Sequence, residues 1–383
     1  MPYPDTMTVR PAATTLPAPE SWRLVAAFLV AALLLCLPRP SASAEYLVDP
    51  AGGASFSTIS GAMDAAPAGS IIRLRPGVYT EMVSVDKDVV IVGIDPASPA
   101  VIDGEGRRPV MMVAPDVTCR FENLTLRNGV ADEGAACRVA AGAVVDFINC
   151  GFHDNAAASG GAVLLAGART WSEFIGCHFQ HNRARGDGGA IAIRDDADVT
   201  LRACTFFANH ADGEAGAVDG RSRTALAVED CLFIENAGFG SGALLATEGM
   251  IRVAGNTFFR NTSLDGATVV LRGDDPGLLE VTNNIFAGDV EGAGLGAPAG
   301  AIRGCNLYSA NLGGALVTGD LAGDELSTDP GFCDFRMLDL TLSRMSPAAG
   351  RESECGRIGA LDVGCLESLS AALDRPAPRR RVH

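Results

Sequence analysis

Four cysteines of this chain are evenly spaced and share the same neighbouring residues. Each lies 27 residues from the next and begins a C-x-F-x-x-N motif, at Cys150, Cys177, Cys204 and Cys231. A fixed period of this size is typical of a solenoid, in which each repeat forms one turn and stacks on the turn before it. This spacing constrains the fold more than any other feature of the sequence.

The repeat extends beyond these four copies. Asparagine stands in place of the cysteine at Asn123, Asn256, Asn284 and Asn306. A Gly-Ala pair follows as a second marker, beginning at Gly134, Gly161, Gly189, Gly216, Gly242, Gly266 and Gly314. Segments such as "VTLRACTF" and "IRVAGNTF" alternate apolar and polar residues, which is the periodicity of a β-strand. Since the repeats show no sustained helical stripe, we predict an all-β chain, a right-handed parallel β-helix solenoid.

Stacking of equivalent residues predicts ladders along the solenoid. The expected aromatic ladder points inward and contains Phe152, Phe179, Phe206, Phe233 and Phe258. The expected polar ladder lies at a turn, bonds to neighbouring coils and contains Asn128, Asn155, Asn182, Asn209, Asn236, Asn261 and Asn311. The glycines are expected at the other corner, where φ is positive or two backbones approach closely. Because asparagine shares the cysteine slot, we expect free, buried thiols there rather than disulfides.

The face that follows each Gly-Ala marker is where a substrate groove would be expected. If Val163, Ile191, Val218 and Leu244 point inward, the next residue of each strand points outward. Those outward residues are Leu164, Ala192, Asp219 and Leu245. The strip is mostly apolar, whereas an enzyme acting on an acidic polysaccharide needs basic groups there. This composition argues against a lyase.

The composition excludes some partners. The 383 residues carry a formal charge of −16 at pH 7. Nucleic acids and anionic membrane surfaces both require a cationic face, so neither is an expected partner.

The N-terminal segment is typical of a secretion signal. Arg23 precedes an apolar run, Leu24 to Leu37, and an A-x-A pattern ends at Ala44, which predicts cleavage before Glu45. A lipid-anchored Cys36 is the alternative. Export would place the protein outside the cell, on its surface or in the periplasm, where its cysteines can be oxidised. The mature chain is expected to contain no transmembrane span.

Two parts of the sequence resemble known families. The alternation of F-x-x-N with G-G-A-[ILV], over roughly 120 to 320, resembles the repeat of the polymorphic outer membrane protein family, whose members carry a β-helical passenger. The stretch from Phe56 to Asp95 resembles the N-terminal cap of pectin lyase-like right-handed β-helices. This second resemblance implies a short amphipathic helix from Thr58 to Ala66, stopped by Gly69, which covers the open end of the solenoid.

The C-terminal end also carries a resemblance. The run from "STDPGFCDF" to "CGRIGALDVGC" resembles the closing segment of exported bacterial β-helix repeat proteins. Those segments often have a further cysteine where this chain has Ala348. Cys333, Cys355 and Cys365 are therefore an odd set, of which one pairs elsewhere or stays free.

These observations together predict the domain organisation. We expect a signal peptide at 1–44, an N-terminal cap and first coils at 45–95, β-helix repeats at 96–322, a closing segment at 323–365 and a disordered basic tail at 366–383.

The candidate chemistry is limited to carboxylates and histidines. Asp187 and Glu214 share one column, and Asp195, Asp196 and Asp198 form a D-D-x-D loop in the same coil as Asp187. Together they are candidate ligands for Ca²⁺, which takes six to eight oxygens. The alternative, which we favour, is an acidic surface loop. His153, His178, His181 and His210 lie at different offsets from the cysteine column, so we interpret them as turn and surface residues, and Lys87 as a solvated turn.

We therefore predict an exported, monomeric, non-catalytic module that binds a polysaccharide or another cell-surface component. A polysaccharide-active enzyme, a lyase or an esterase, is one alternative, and a purely structural envelope protein is another. An enzyme would be favoured by an outward column in which three acidic, arginine or histidine groups of adjacent coils converge within about 5 Å in a cleft.

Overall fold

The computed structural model describes residues 43–221, 223–317, 319–350 and 354–366. The signal peptide, apart from its last two residues, and the basic tail beyond Leu366 lie outside these ranges. From Ala44 onward the chain forms one compact unit. Within the described ranges, no helix is long and apolar enough to cross a membrane.

Three parallel sheets, A, B and C, run the length of this unit, and each coil contributes strands to all three. Sheet A contains Glu45–Val48, Ser70–Leu74, Val89–Gly93, Thr118–Glu122, Val144–Ile148, Trp171–Ile175, Asp198–Arg202, Leu226–Glu229, Ile251–Ala254, Leu279–Thr282 and Ile302–Gly304. Sheet B contains Gly77–Tyr79, Ala100–Asp103, Leu124–Arg127, Gly151–His153, His178–Gln180, Thr205–Phe207, Leu232–Ile234, Thr257–Phe259, Ile285–Ala287, Leu307–Ser309 and Leu326–Ser327.

Sheet C has the largest number of strands of the three. Its strands are Val83–Val85, Met111–Val113, Cys137–Val139, Ala156–Ala157, Val163–Ala166, Arg183–Ala184, Ile191–Arg194, His210–Ala211, Val218–Gly220, Ala237–Gly238, Ser241–Thr247, Thr262–Arg272 and Glu291–Gly296. A small fourth sheet contains Phe332–Asp334, Asp339–Ser343 and Val363–Cys365. Among the described residues, the helices are Ile59–Ala65 and three 3₁₀ turns, Pro276–Leu278, Phe335–Met337 and Pro347–Ala349. The predicted all-β parallel solenoid is confirmed.

The aromatic ladder forms as predicted. The rings of Phe152 and Phe179 stack with centroids 4.5 Å apart, and the next two steps are 4.7 and 4.6 Å. The ladder continues through Phe286 to Tyr308, beyond the predicted end. These rings are fully buried, and their stacked spacing follows from the stacking of parallel strands.

The asparagine ladder forms with one shift of register. The side-chain amide of Asn182 donates to Oδ1 of Asn209 at 2.9 Å and to the carbonyl of Phe152 at 2.8 Å, so both of its hydrogens are used inside the fold. Asn128 was wrongly placed in this column. Gly129 holds the slot, because its N–H donates to Asn155 Oδ1, while Asn128 lies one residue earlier with a φ of 52°.

The cysteine column is a second polar ladder. Each thiol donates to a backbone carbonyl of the preceding coil, as Cys177 does to Phe147 O at 3.3 Å. Farther along the same column, Asn256 Nδ2 makes the equivalent bond to Val228 O at 2.8 Å. Cys150, Cys177, Cys204 and Cys231 are free and buried, which confirms the prediction. Asn123 was wrongly included in the column, since the strand register places Leu124 opposite Cys150.

The glycine markers are sites of close backbone approach. A Cβ on Gly161 would lie 2.1 Å from the carbonyl oxygen of Gly189, and a Cβ on Gly189 would lie 2.1 Å from that of Gly216. No side chain fits there, which explains the repeated glycine. Gly134 is one residue out of this column, because Cys137 pairs with Val163.

The predicted N-terminal helix covers the first coils. Its N-terminal N–H groups are bound by the Glu81 carboxylate, at 2.7 Å from Ile59 N and 2.8 Å from Ser60 N. The helix spans Ile59–Ala65 with Thr58 and Ala66 as its caps, which agrees with the predicted range from Thr58 to Ala66. Lys87 was wrongly interpreted as solvated, because its Nζ donates to the carbonyls of Met63 and Ala66 and thereby satisfies the C-terminal end of this helix.

The C-terminal part of the predicted closing segment lies against the side of the solenoid. We call residues 328–350 and 354–365 the strap. Its apolar side chains pack on the outer face of sheet B and form a second core with Ile234, Phe259, Ile285, Ala287 and Leu307. Two disulfides hold it: Cys305–Cys355 joins the strap to a coil, and Cys333–Cys365 closes the strap on itself. One of the odd set of cysteines therefore pairs outside the set.

Candidate functional site

The outward strip of sheet C is not an open groove. The strand register is as predicted, with Val163 opposite Ile191 and Val218 opposite Leu244. The outward residues Leu164, Ala192, Asp219 and Leu245 are nevertheless 3%, 0%, 0% and 1% exposed. The bends that precede each strand lie over them: a Cβ on Gly160 would touch the Ala192 side chain at 3.2 Å. The predicted apolar substrate groove is therefore covered by the chain itself.

A cluster of ion pairs lies under these bends. Arg221 binds Asp187 at 3.0 Å and Asp219 at 3.1 Å, and Arg194 reaches the same two carboxylates, with 2.5 Å to Asp219 and 3.9 Å to Asp187. Burial raises the pKa of the Asp219 carboxyl, against the opposing effect of the two guanidinium groups. Acidic and arginine groups of adjacent coils thus converge. The Asp219 side chain is 0% exposed, so a substrate cannot reach it without displacing an arginine.

The predicted Ca²⁺ ligands do not form one cluster. Asp187 binds arginines, and its other oxygen accepts the backbone N–H of Glu214 at 2.8 Å. Asp196 pairs with Arg223 at 3.5 Å, and Asp198 accepts the N–H of Ala225. Within the described ranges, the one trio of potential metal ligands with atoms within 4.8 Å is Cys305, Asp324 and Cys355, and a disulfide uses both of its sulfurs. The Ca²⁺ site stays an untested prediction with no shared geometry to support it.

The histidines lie on two faces. His153 and His178 line a groove on the outer face of sheet B. His181 lies beside them, with Nδ1 3.7 Å from the Asp154 carboxylate. His210 lies in sheet C and pairs with Asp212 at 2.9 Å. The different sequence offsets of His153 and His178 hid the fact that their side chains meet in one groove.

The outer face of sheet A carries an exposed aromatic side chain in the same face as charged groups. Trp171 begins a strand and is 37% exposed, next to Val144 and Asp198 in the neighbouring strands. On the same face, Asp146 and Glu173 are adjacent in register, and each is held by an arginine. Arg120 binds Asp146 at 3.2 Å, and Arg202 binds Glu173 at 3.3 Å. The arginines fix these carboxylates as planar hydrogen-bonding groups beside the indole.

Sequence reasoning missed Trp171, although a signal was present. The segment "WSEFI" alternates, and Ser172 and Phe174 point inward, so Trp171 must point outward. It is also the only tryptophan after the predicted cleavage site, since the chain contains 2 and the other is Trp22. The outward position of this aromatic ring could therefore have been predicted from the strand alternation.

Comparison with known proteins identifies the class of fold. The profile of the family described as "right handed beta helix region" matches residues 110–286. The crystal structure of pectate lyase Pel9A aligns with 84% of this chain and 97% of its own, at 14% identity and a TM-score of 0.54. The chain is thus a right-handed parallel β-helix, and at this identity the likeness shows the fold alone.

Other solved structures are less similar. Pectin methylesterase from carrot aligns with 76% of this chain and 91% of its own, at 14% identity and a TM-score of 0.37. Pectin methylesterase PemA from Erwinia chrysanthemi aligns with 74% of this chain and 93% of its own, at 14% identity and a TM-score of 0.38. These two alignments support no inference about activity. No curated protein matches the sequence.

Proposed function

We propose that this chain is an exported module that binds carbohydrate through the outer face of sheet A without transforming it. The observation that carries the proposal is the exposed indole of Trp171, which shares the outer face of sheet A with the arginine-bound carboxylates of Asp146 and Glu173. The C–H face of a sugar ring packs on an aromatic ring, while planar polar groups bind its hydroxyls. Trp171 supplies the aromatic ring, and the two ion pairs supply the planar polar groups.

Two further features support export and binding. The strap contains two disulfides, which persist in oxidising compartments outside the cytosol. Sheet A runs over parallel strands of successive coils, about 4.8 Å apart, and such a repeating surface suits an extended polymer more than a small metabolite.

The test uses the exported chain from Glu45, in which Trp171 is the only indole. Neutral glycans and polyuronates, with and without Ca²⁺, are titrated while tryptophan fluorescence is recorded. We expect a saturable change with at least one glycan, and calorimetry should show binding about tenfold weaker in Trp171→Ala. Phe239→Ala, which removes an exposed aromatic on another face, is the matched control and should bind normally.

Two results would contradict the proposal. Equal binding by wild type and Trp171→Ala would place the glycan elsewhere. Failure of every glycan to bind would favour a purely structural envelope protein.

The second candidate function is a polysaccharide-active enzyme, favoured by the convergence of Asp187 and Asp219 on Arg194 and Arg221. The burial of Asp219 opposes it, since the carboxyl group closest to both arginines is closed to substrate. Incubation with polyuronates distinguishes the two functions. An unsaturated product absorbing in the ultraviolet, lost in Arg221→Lys, would establish a lyase and overturn the binding-module proposal.

A further inference from the structure

A second concave surface lies on the outer face of sheet B, away from Trp171. We call it the histidine groove. It encloses about 420 Å³, and its walls include Pro96 and Pro99 on one side and Thr125, His153, His178 and Gln180 on the other. It crosses several neighbouring coils, so its long direction follows the solenoid axis. This volume is typical of a site for a small organic ligand.

The missing side chain of Gly151 makes room for two imidazole rings side by side in the groove. A Cβ on Gly151 would lie 2.5 Å from Nε2 of His153, so the His153 ring lies over the glycine, where other coils carry a side chain. His178 stands opposite Gly151 in the strand register. The glycine therefore lets the His153 ring lie back beside His178 of the next coil. Thr125, opposite Gly151 on the other side, places its hydroxyl 3.4 Å from the same position.

The groove differs in charge from the rest of the molecule. The chain carries 46 acidic residues, yet none of the residues that line the groove is Asp or Glu. The charged groups that face His153 are Asp154, His178, His181 and Arg127. Three of these are already paired, since Asp154 lies near His181 and Arg127 binds Asp103 at 2.8 Å.

Protonation changes the groove from neutral to cationic. Burial lowers the pKa of His153, so its ring is neutral at neutral pH and gains a proton only in acid. A bound anion would favour the charged ring and raise its pKa, so binding and protonation would strengthen each other.

We propose that the histidine groove binds the anionic group of a saccharide, a carboxylate or a sulfate ester, and that it does so under acidic conditions. His153 and His178 bind the oxyanion, Gln180 and Thr125 offer hydrogen bonds to the sugar hydroxyls, and the two prolines pack against its apolar edge. This site is separate from the face of sheet A and stands whether or not Trp171 binds a glycan.

The test is calorimetry with the exported chain at about pH 5 and about pH 7.5, using trigalacturonate, a sulfated trisaccharide and maltotriose. Inorganic sulfate and acetate are titrated in parallel, to distinguish recognition of a charged sugar from recognition of the free anion. We expect both charged saccharides to bind about tenfold more tightly in acid, with proton uptake seen as a dependence of the heat on buffer ionisation. Maltotriose should show neither effect.

Matched variants separate the groove from the general charge of the protein. His153→Gln should abolish the pH dependence, His178→Gln should weaken binding of the oxyanion, and Gly151→Ala should weaken binding by pushing the His153 ring outward. His210→Gln removes a histidine of another face and should behave as wild type. Circular dichroism and thermal unfolding establish that each variant is folded.

Three results would overturn the inference. Equal affinity at both pH values would remove the role of protonation. Unchanged binding in both histidine variants would place the saccharide elsewhere. Stoichiometric Zn²⁺ binding at about pH 7.5, lost in both histidine variants without any effect on saccharide binding, would make the groove a metal site instead.

Discussion

The same position in sheet B carries His178 in one coil and Ile285 four coils later. Around His178 the outer face is polar and open and forms the histidine groove. Around Ile285 it is apolar and covered by the strap, and the Ile285 side chain is 1% exposed. Beneath both, the interior is alike, since the ring stack is spaced 4.7 Å from Phe179 to Phe206 and 4.9 Å from Phe258 to Phe286.

This contrast shows at which positions of a β-helix the residue type can vary between coils. Residues that point inward or lie at a bend must match their equivalents in the next coil, because they stack directly on them. Residues that point outward carry no such constraint. One half of the face has become a groove, and the other half has become a docking surface for the end of the same chain.

A charge introduced at the shared position should give the largest difference in stability between the two halves. Ile285→Asp would bury an unpaired carboxylate under the strap, and we expect a loss of about 4 kcal/mol in the free energy of unfolding. His178→Asp, the matched change in the open half, should alter stability by less than about 0.5 kcal/mol, because water solvates its carboxylate. Urea unfolding measures both. Similar losses in the two variants would mean that the halves are not differently covered.

Release of the strap should affect only the covered half. Cys355→Ser removes the disulfide that joins the strap to the coil of Cys305, at a sequence separation of 50. We expect the free energy of unfolding to fall by about 3 kcal/mol, because the unfolded chain gains the freedom of a loop of that length. Addition of a reductant to wild type should have a larger effect, because it also opens Cys333–Cys365. Cys305→Ser/Cys355→Ser should cost no more than the single change, since both remove the same bond, and a clearly larger loss would contradict this account.

Equivalent substitutions in the interior should reduce stability equally in the two halves. Asn182 lies beneath the groove and Asn236 lies in the coil of Leu232, beneath the covered half. Their side-chain amides donate to the next asparagine at 2.9 and 3.0 Å and to a phenylalanine carbonyl at 2.8 and 2.9 Å. Asn182→Ala and Asn236→Ala should therefore each cost about 2 kcal/mol, since buried backbone groups lose their partners. Urea unfolding of the two variants, compared at one temperature, tests this equality.

The interior could be predicted from spacing because stacking forces it to repeat. Phe152, Cys177 and Asn209 all lie in the columns expected from the period. The prediction that Asn128 belongs to the asparagine ladder was wrong because the step from Leu126 to Phe152 is one residue shorter than the common period. A pattern match cannot detect where this deletion lies. In a β-strand such a slip moves each side chain to the opposite face.

The outer surface could not be predicted in the same way. Asp219 was correctly expected to point outward, but outward did not mean exposed, because bends of adjacent coils cover it. The strap occurs once and has no period, so nothing in its sequence names the coils on which Ile358 and Leu342 pack. The groove depends on Gly151, whose role is visible only when the ring of His153 is seen above it.

The smallest expected effect concerns one acid in the asparagine ladder of the covered half. Asp289 occupies a ladder slot, because its Oδ1 accepts the N–H of Asn261 at 3.1 Å and its own N–H donates to Asn311. Complete burial raises the pKa of its carboxyl well above the ordinary value. In the protonated form the second oxygen has a hydrogen to donate, as the asparagine amide has, so the neutral acid fits the ladder and the carboxylate does not.

The sign of the pH dependence follows from this shift. Because the pKa of Asp289 is higher in the folded than in the unfolded state, its stabilising contribution is fully present below the unfolded pKa and is lost as the pH rises through the folded pKa. Asp289→Asn should therefore raise the free energy of unfolding by about 1 kcal/mol at about pH 8, with the gain vanishing toward about pH 4. Asn182→Asp should impose the same dependence beneath the groove, where none exists in wild type. Urea unfolding across this range measures both, and a response in only one half would show that the outer face alters the ladder beneath it.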